Sequence, residues 1–218
     1  MSAIDLDAFR ATPLQRDPYD HLIVPGFVRA DAVAAVDADY PRIAGPGSFP
    51  LEDLAAGPAF AALIDELRGR PVREAFAAKF GVGLDGRPTT VTVRGRCQEK
   101  DGRIHTDTES KILTVLIYMN TEWTRSGGRL RVLRSAHDLD DYAAEVPPQA
   151  GTLLAFRRSD RSWHGHETFV GERRVIQLNW VTDEAVVRRE RRRHRVSAWM
   201  KSLLGQRDRA PQKGLAWH

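Results

Sequence analysis

The chain has 218 residues, 42% of them hydrophobic and 28% charged, with a formal net charge of +4, a composition that suits one globular domain with at most an appendage. No stretch approaches the roughly 20 apolar residues that span a bilayer, and the opening MSAIDLDAFRATPLQRD carries acids where a secretory leader has an apolar core, so a cytoplasmic location is expected. Cys97 is the single cysteine, which excludes an intramolecular disulfide and Cys-rich metal sites, so a metal here must be bound by His and carboxylate.

The first 82 residues read as helical with one early strand. His21-Leu22-Ile23-Val24 is a short apolar run ended by the turn signal Pro25-Gly26. The stretch 30–36 reads as a helix, with Pro41 placed to stop it. From Leu51 to Leu67 the apolar positions Leu54, Phe60, Leu63, Ile64 and Leu67 recur at helical spacing, which predicts a second helix. Pro71 to Phe80 predicts a third, with Gly81 as its stop.

From about residue 88 the period changes to two. Thr89, Val91 and Val93 alternate with Thr90, Thr92 and Arg94. Ile112 to Met119 is a continuous apolar, β-branched run suited to a buried strand. Ser126-Gly127-Gly128 marks a turn, and Leu130 to Leu133, Thr152 to Phe156 and Arg174 to Val181 read as further strands. Helices followed by six or so short strands predict an α+β protein with a mainly β core. The expected architecture is a jelly roll over about residues 88–182, with the N-terminal helices (about 1–82) packed outside. Residues 1–187 are expected to form one domain, followed by a basic tail, 188–218.

That tail holds ten Lys and Arg against two acids, so the basic character of the chain belongs to it and the body is mildly acidic. Six arginines fall within 188–195. Val196, Trp199, Met200, Leu203 and Leu204 then lie on one helical face. Such a segment suits packing on the barrel exterior, or contact with an anionic membrane surface, RNA or an acidic partner.

Two separated clusters carry the chemistry. In His105-Thr106-Asp107 an imidazole and a carboxylate at i and i+2 converge on one side of an extended chain. Trp163-His164-Gly165-His166-Glu167 lies 57 residues beyond Asp107, far enough for a returning strand to bring a third ligand. Two His and one carboxylate on one octahedral face suit iron(II) and leave positions for cosubstrate and O2. Arg174, ten residues past His164, has the planar fork that binds a carboxylate through two parallel hydrogen bonds.

With these residues the sequence resembles the 2-oxoglutarate- and iron(II)-dependent oxygenases, in particular the prolyl-hydroxylase-like branch, over about residues 88–182. The resemblance implies a double-stranded β-helix with His105, Asp107 and His164 as metal ligands and Arg174 as the clamp for the far carboxylate of 2-oxoglutarate. The run Leu116-Ile117-Tyr118-Met119-Asn120, followed by Ser126-Gly127-Gly128-Arg129-Leu130, is similar to the family's strand-turn-strand, and implies a hydrogen bond from Tyr118 to 2-oxoglutarate. The cofactors implied are Fe(II), 2-oxoglutarate, O2 and ascorbate. The reaction implied is hydroxylation of an unactivated C–H in a peptidyl-prolyl, amino-acid-like or small-molecule substrate, with succinate and CO2 released.

Two choices inside the motif stay open. His166 competes with His164, whose Trp-His-Gly context and spacing to Arg174 favour it. Arg173 competes with Arg174, which shares a strand face with Ile176 and Leu178 and is preferred for that reason. A cupin-type dioxygenase or a jelly-roll metal-binding module is the alternative reading. A nucleic-acid demethylase would carry a second arginine where this chain has Trp180.

Overall fold

In the computed structural model, which describes residues 2–190 and 192, Asp5 accepts a hydrogen bond from the Ala8 N–H at the start of α1 (Leu6–Ala11), satisfying one of the donors a helix N-terminus leaves unpaired. β1 (His21–Val24) and α2 (Ala30–Ala38) follow. The short β2 (Phe49–Pro50) runs into a 3-10 turn at Leu51–Asp53, and α3 (Pro58–Arg68) and α4 (Arg70–Phe80) meet at Gly69. The helix expected from Leu51 is therefore cut. Leu54 is extended, and the helix begins at Pro58, whose absent N–H costs nothing in a first turn. Gly81 ends α4 with φ 63°, a left-handed conformation that favours glycine.

The β region comprises β3 (Thr89–Cys97), β4 (Lys111–Tyr118), β5 (Leu130–Leu133), β6 (Tyr142–Val146), β7 (Leu153–Arg157), β8 (His164–Gly165) and β9 (Gly171–Val181). Six strands form an antiparallel sheet in the order β1-β7-β4-β9-β3-β2, and three form a second in the order β6-β5-β8. This is the expected jelly roll with helices outside. β6 escapes the sequence reading because Tyr-Ala-Ala-Glu-Val has no clear alternation, and its side chains are mostly half-exposed.

Two apolar cores lie on opposite faces of the larger sheet. On the helix side, Phe9, Phe60, Leu63, Leu67 and Phe76 pack against Leu113, Val115, Ile117, Ile176, Leu178 and Trp180. Phe76 stacks on Phe9 with centroids 4.2 Å apart and leans on Trp180 at 5.3 Å. Between the sheets, Tyr19, Leu116, Tyr118, Leu130, Val132, Leu154, Phe156 and Val175 form the second core. β4 and β9 are central and covered on both faces, so β4 reads as a continuous apolar run. The interior face of β9 is the one that bears Arg173, Val175, Gln177 and Asn179, and this decides the site.

Among the described residues no helix is long and apolar enough to cross a membrane. Residues 184–190 are helical, and Val186 and Val187 pack with Val181. The expected amphipathic helix through Val196, Trp199, Met200, Leu203 and Leu204 lies outside the described residues.

Candidate metal and cosubstrate site

His105 and His164 meet as directly paired residues. Each donates its backbone N–H to the other's carbonyl, at 3.0 Å both ways. Directly opposed residues of an antiparallel pair send their side chains to the same face, and the two imidazole centroids stand 4.3 Å apart. Asp107, two residues on, returns its carboxylate to that face. Ligand atoms of His105, Asp107 and His164 all lie within 4.8 Å of one another, close enough for one ion to draw them together.

The imidazole tautomers suit that role. Nδ1 of His105 is 2.8 Å from the Arg103 carbonyl, and Nδ1 of His164 is 2.9 Å from the Ser162 carbonyl. A carbonyl only accepts, so each Nδ1 carries the proton and each Nε2 keeps its lone pair for a metal. Burial pushes His164 down to about 4, against the attraction of Asp107, so the ring is neutral at pH 7. Burial alone would raise Asp107, but the Lys111 ammonium and His164 outweigh it and hold the carboxyl at about 2. Lys111 donates to one oxygen at 2.7 Å and Thr114 to the other at 2.5 Å. The donor set is thus one carboxylate and two imidazoles whose Nδ1 atoms face carbonyls, a set that suits a ferrous ion.

His166 is turned elsewhere. Its Nδ1 is 2.8 Å from the Glu167 carbonyl, and it stands outside the three-residue donor cluster. Its backbone N–H reaches the Gly102 carbonyl at 2.9 Å. Gly102 has φ 90°, and a Cβ there would lie 2.4 Å from His166 Nδ1, so the 100–103 turn sits directly against this ring and admits no side chain at that point.

The structure places the two candidate arginines on opposite faces of β9. Arg174 lies on the helix-facing side of β9, where it pairs with Asp37 and Glu172 and covers the Tyr40 ring. It lines a different hollow from the histidines. Arg173 lines the cavity, about 390 Å³, that also contains His105, Asp107 and His164. The reason is strand parity. Arg174 does share a face with Ile176 and Leu178, but that apolar face packs on the helices, while the cavity takes the odd-numbered, more polar face. Asn120 pins this phase: its Oδ1 accepts from the Arg174 N–H at 2.7 Å and its Nδ2 donates to the Pro148 carbonyl at 2.6 Å.

Arg173 is 5% exposed. Its Nε donates to the Gly128 carbonyl at 2.7 Å, and its guanidinium lies over the Tyr118 ring at 5.3 Å. Gly128 has φ 76°, so the Gly127-Gly128 turn of the sequence delivers the carbonyl that holds Arg173. Two buried polar atoms among the described residues have no partner, the Tyr118 hydroxyl and one Arg173 nitrogen. Burial raises the Tyr118 hydroxyl, opposed by the nearby Arg173 charge, so it stays protonated. Leaving such groups unpaired costs roughly 1–3 kcal/mol each, and more for a charged one. A carboxylate bound in the cavity against Arg173 would pair its free nitrogen, and 2-oxoglutarate carries such a group; Tyr118 packs on Arg173 and is not among the residues that line the cavity.

Lys111, Thr114 and Ser162 escaped the sequence reading. Lys111 stands at i+4 from Asp107, and its neighbourhood was legible; Ser162 was not. The Ser162 hydroxyl is fully buried, donates to the Ser159 carbonyl at 2.7 Å and accepts from the Ser159 N–H at 3.0 Å. It thereby fixes the carbonyl that orients His164.

Residues 95–182 match the model of the 2OG-Fe(II) oxygenase superfamily. Among solved structures, the chain is similar to a Pseudomonas putida prolyl-4-hydroxylase (19% identity, 82% of this chain and 97% of that one, TM-score 0.55). It is also similar to a viral collagen prolyl hydroxylase from Paramecium Bursaria Chlorella virus-1 in complex with 2OG (15%, 74% and 96%, 0.53). A third likeness is to a 2OG-Fe(II) oxygenase family oxidoreductase from Burkholderia pseudomallei (14%, 82% and 90%, 0.53). Among curated proteins no sequence matches.

Proposed function

We propose that this chain, whose residues 95–182 match the model of the 2OG-Fe(II) oxygenase superfamily, is a hydroxylase using iron(II), 2-oxoglutarate and O2, with His105, Asp107 and His164 as the metal ligands. Arg173, rather than Arg174, then takes the distal carboxylate of 2-oxoglutarate, with the Tyr118 ring packed against its guanidinium. One observation carries this reading: the three donor groups and a buried guanidinium with a free nitrogen share one cavity.

When bound, the iron and its cosubstrate supply the oxidation: 2-oxoglutarate and O2 yield succinate and CO2, and one oxygen atom enters a substrate C–H bond. The chain's residues do the rest. The Ser162 and Arg103 carbonyls keep both imidazoles in the metal-binding tautomer. Thr114 and Lys111 hold the Asp107 carboxylate in place. Arg173, braced by the Tyr118 ring, orients the cosubstrate along the cavity, while Leu116, Leu130 and Val175 give it an apolar wall that excludes water.

Two of the three similar structures named above are prolyl hydroxylases. That likeness supports a peptidyl-prolyl or amino-acid-like substrate over an unrelated small molecule. Anaerobic addition of Fe(II) and 2-oxoglutarate tests the site. A visible charge-transfer band should form in the wild type, and it should be absent in His105→Ala and Asp107→Ala. A full band in Asp107→Ala would place the metal elsewhere. Succinate release in air, with ascorbate present, then tests turnover over peptides and amino acids.

A further inference from the structure

The iron cavity is lined by five cationic side chains, Arg94, Lys100, Arg103, Lys111 and Arg173, against two carboxylates. Both carboxylates are engaged: Asp101 pairs with Arg94 at 2.6 Å and Asp107 with Lys111 at 2.7 Å. Arg173 is committed to the cosubstrate in the reading above. Lys100 and Arg103 remain, exposed at the rim, with no side-chain hydrogen bond or ion pair among the described residues. A divalent metal and a dianionic cosubstrate cancel one another, so this positive surplus persists in the loaded site. A concave site with low-dielectric walls focuses such a field on whatever enters.

The turn that carries the two cations is held firmly. The Asp101 carboxylate accepts from the Gln98 N–H at 3.0 Å as well as from Arg94, and the Gly102 carbonyl accepts from the His166 N–H. Its far side borders a second hollow of about 730 Å³, lined by Gln98, Glu99, Leu139, His166 and Thr168. Lys100 and Arg103 border both hollows. A substrate longer than the iron cavity can therefore lie across the turn between the two cations.

We infer that the acceptor substrate carries an oxyanion, a carboxylate or a phosphate, which Lys100 and Arg103 hold at the rim while the carbon to be hydroxylated lies in the iron cavity. The inference rests on the proposed function, because it takes the metal and cosubstrate to occupy the cavity floor. The role of the two cations is positioning and selection of substrate, with no part in the oxidation.

Calorimetric binding of four short acetylated peptide amides to the Zn(II)- and 2-oxoglutarate-loaded protein tests it, the residue before a central proline being Glu, Gln, phosphoserine or Ser. The Glu or phosphoserine peptide should bind about fivefold tighter than its neutral counterpart, the equivalent of about 1 kcal/mol for a rim ion pair. Which of the two binds better identifies the oxyanion. The preference should vanish in the Lys100→Ala/Arg103→Ala double variant and shrink in 0.5 M salt, while 2-oxoglutarate affinity stays within about twofold of wild type, the pair lying outside its clamp. Equal binding of charged and neutral peptides, or no binding of any peptide, overturns the inference. So does a double variant that loses 2-oxoglutarate affinity, because the cations would then serve cosubstrate capture. Failure of the wild type to bind Zn(II) and 2-oxoglutarate would instead refute the proposed function.

Discussion

Replacing Arg173 or Arg174 by methionine separates two neighbouring arginines that the strand sends to opposite faces. Arg173 is almost fully buried, and one of its nitrogens and the Tyr118 hydroxyl have no partner. If a carboxylate of 2-oxoglutarate fills that gap, Arg173→Met removes two charge-assisted hydrogen bonds, together about 3–5 kcal/mol. At about 1.4 kcal/mol per tenfold, the 2-oxoglutarate Kd should rise between roughly 100-fold and 3,000-fold. Arg174→Met removes a half-exposed pairing with Asp37 and an exposed one with Glu172, about 1 kcal/mol of stability at most. Its 2-oxoglutarate Kd should therefore stay within about threefold of wild type, because the lost contacts lie on the other side of the sheet. The assay is calorimetric titration of 2-oxoglutarate into the Zn(II)-loaded proteins, with thermal melting of the metal-free forms beside it. Metal-free Arg173→Met should melt no more than a few degrees below wild type, since methionine fills the volume and removes a buried cation left with an unpaired nitrogen. Wild-type affinity in Arg173→Met, or a large loss confined to Arg174→Met, would refute the strand-face argument.

Metal content should separate the three histidines of the cavity: His105→Ala and His164→Ala should lose stoichiometric Fe(II) or Zn(II), and His166→Gln should retain it. Retention by His164→Ala with loss in His166→Gln would reverse the ligand assignment. The metal-free protein should lose stability as pH falls from about 6.5 to 4. Burial holds His164 and His166 each down to about 4, so over this window the unfolded chain binds protons that the folded one refuses. The slope is about 1.4 kcal/mol per pH unit for each histidine. Asp107, held at about 2, starts to lose its stabilising contribution only at the acid end of this window, where the unfolded carboxylate begins to take up a proton. Urea midpoints between pH 7 and 4.5 should show the decline, to which His21, also pushed down by burial, adds, with His166→Gln removing a clear share of the slope. An unchanged slope in that variant would assign the proton uptake to other groups.

Much of this protein is legible in its residue order because local physics is periodic. Two-residue alternation marks β3 and β9, an unbroken apolar run marks β4, and a glycine ends α4. The His105-Thr106-Asp107 and Trp163-His164 clusters mark the candidate donor groups, His105 and Asp107 because i and i+2 on an extended chain share a face, and His164 through its resemblance to the family's distal motif. Pro58, by contrast, decides where α3 begins, and it stood inside an apolar pattern that suggested a longer helix.

What composition and spacing determined was the kind of site, a carboxylate and two imidazoles on a jelly roll beside an arginine. Only tertiary packing decided which arginine. Both faces of β9 are covered, so hydrophobicity does not tell the interior from the helix-facing side. Arg173 and Arg174 are distinguished only once the helices have claimed Ile176, Leu178 and Trp180. The same holds for the surplus of cations in the cavity, which Arg94, the 100–103 turn, Lys111 and Arg173 bring from separate segments and which exists only when that turn folds against His166.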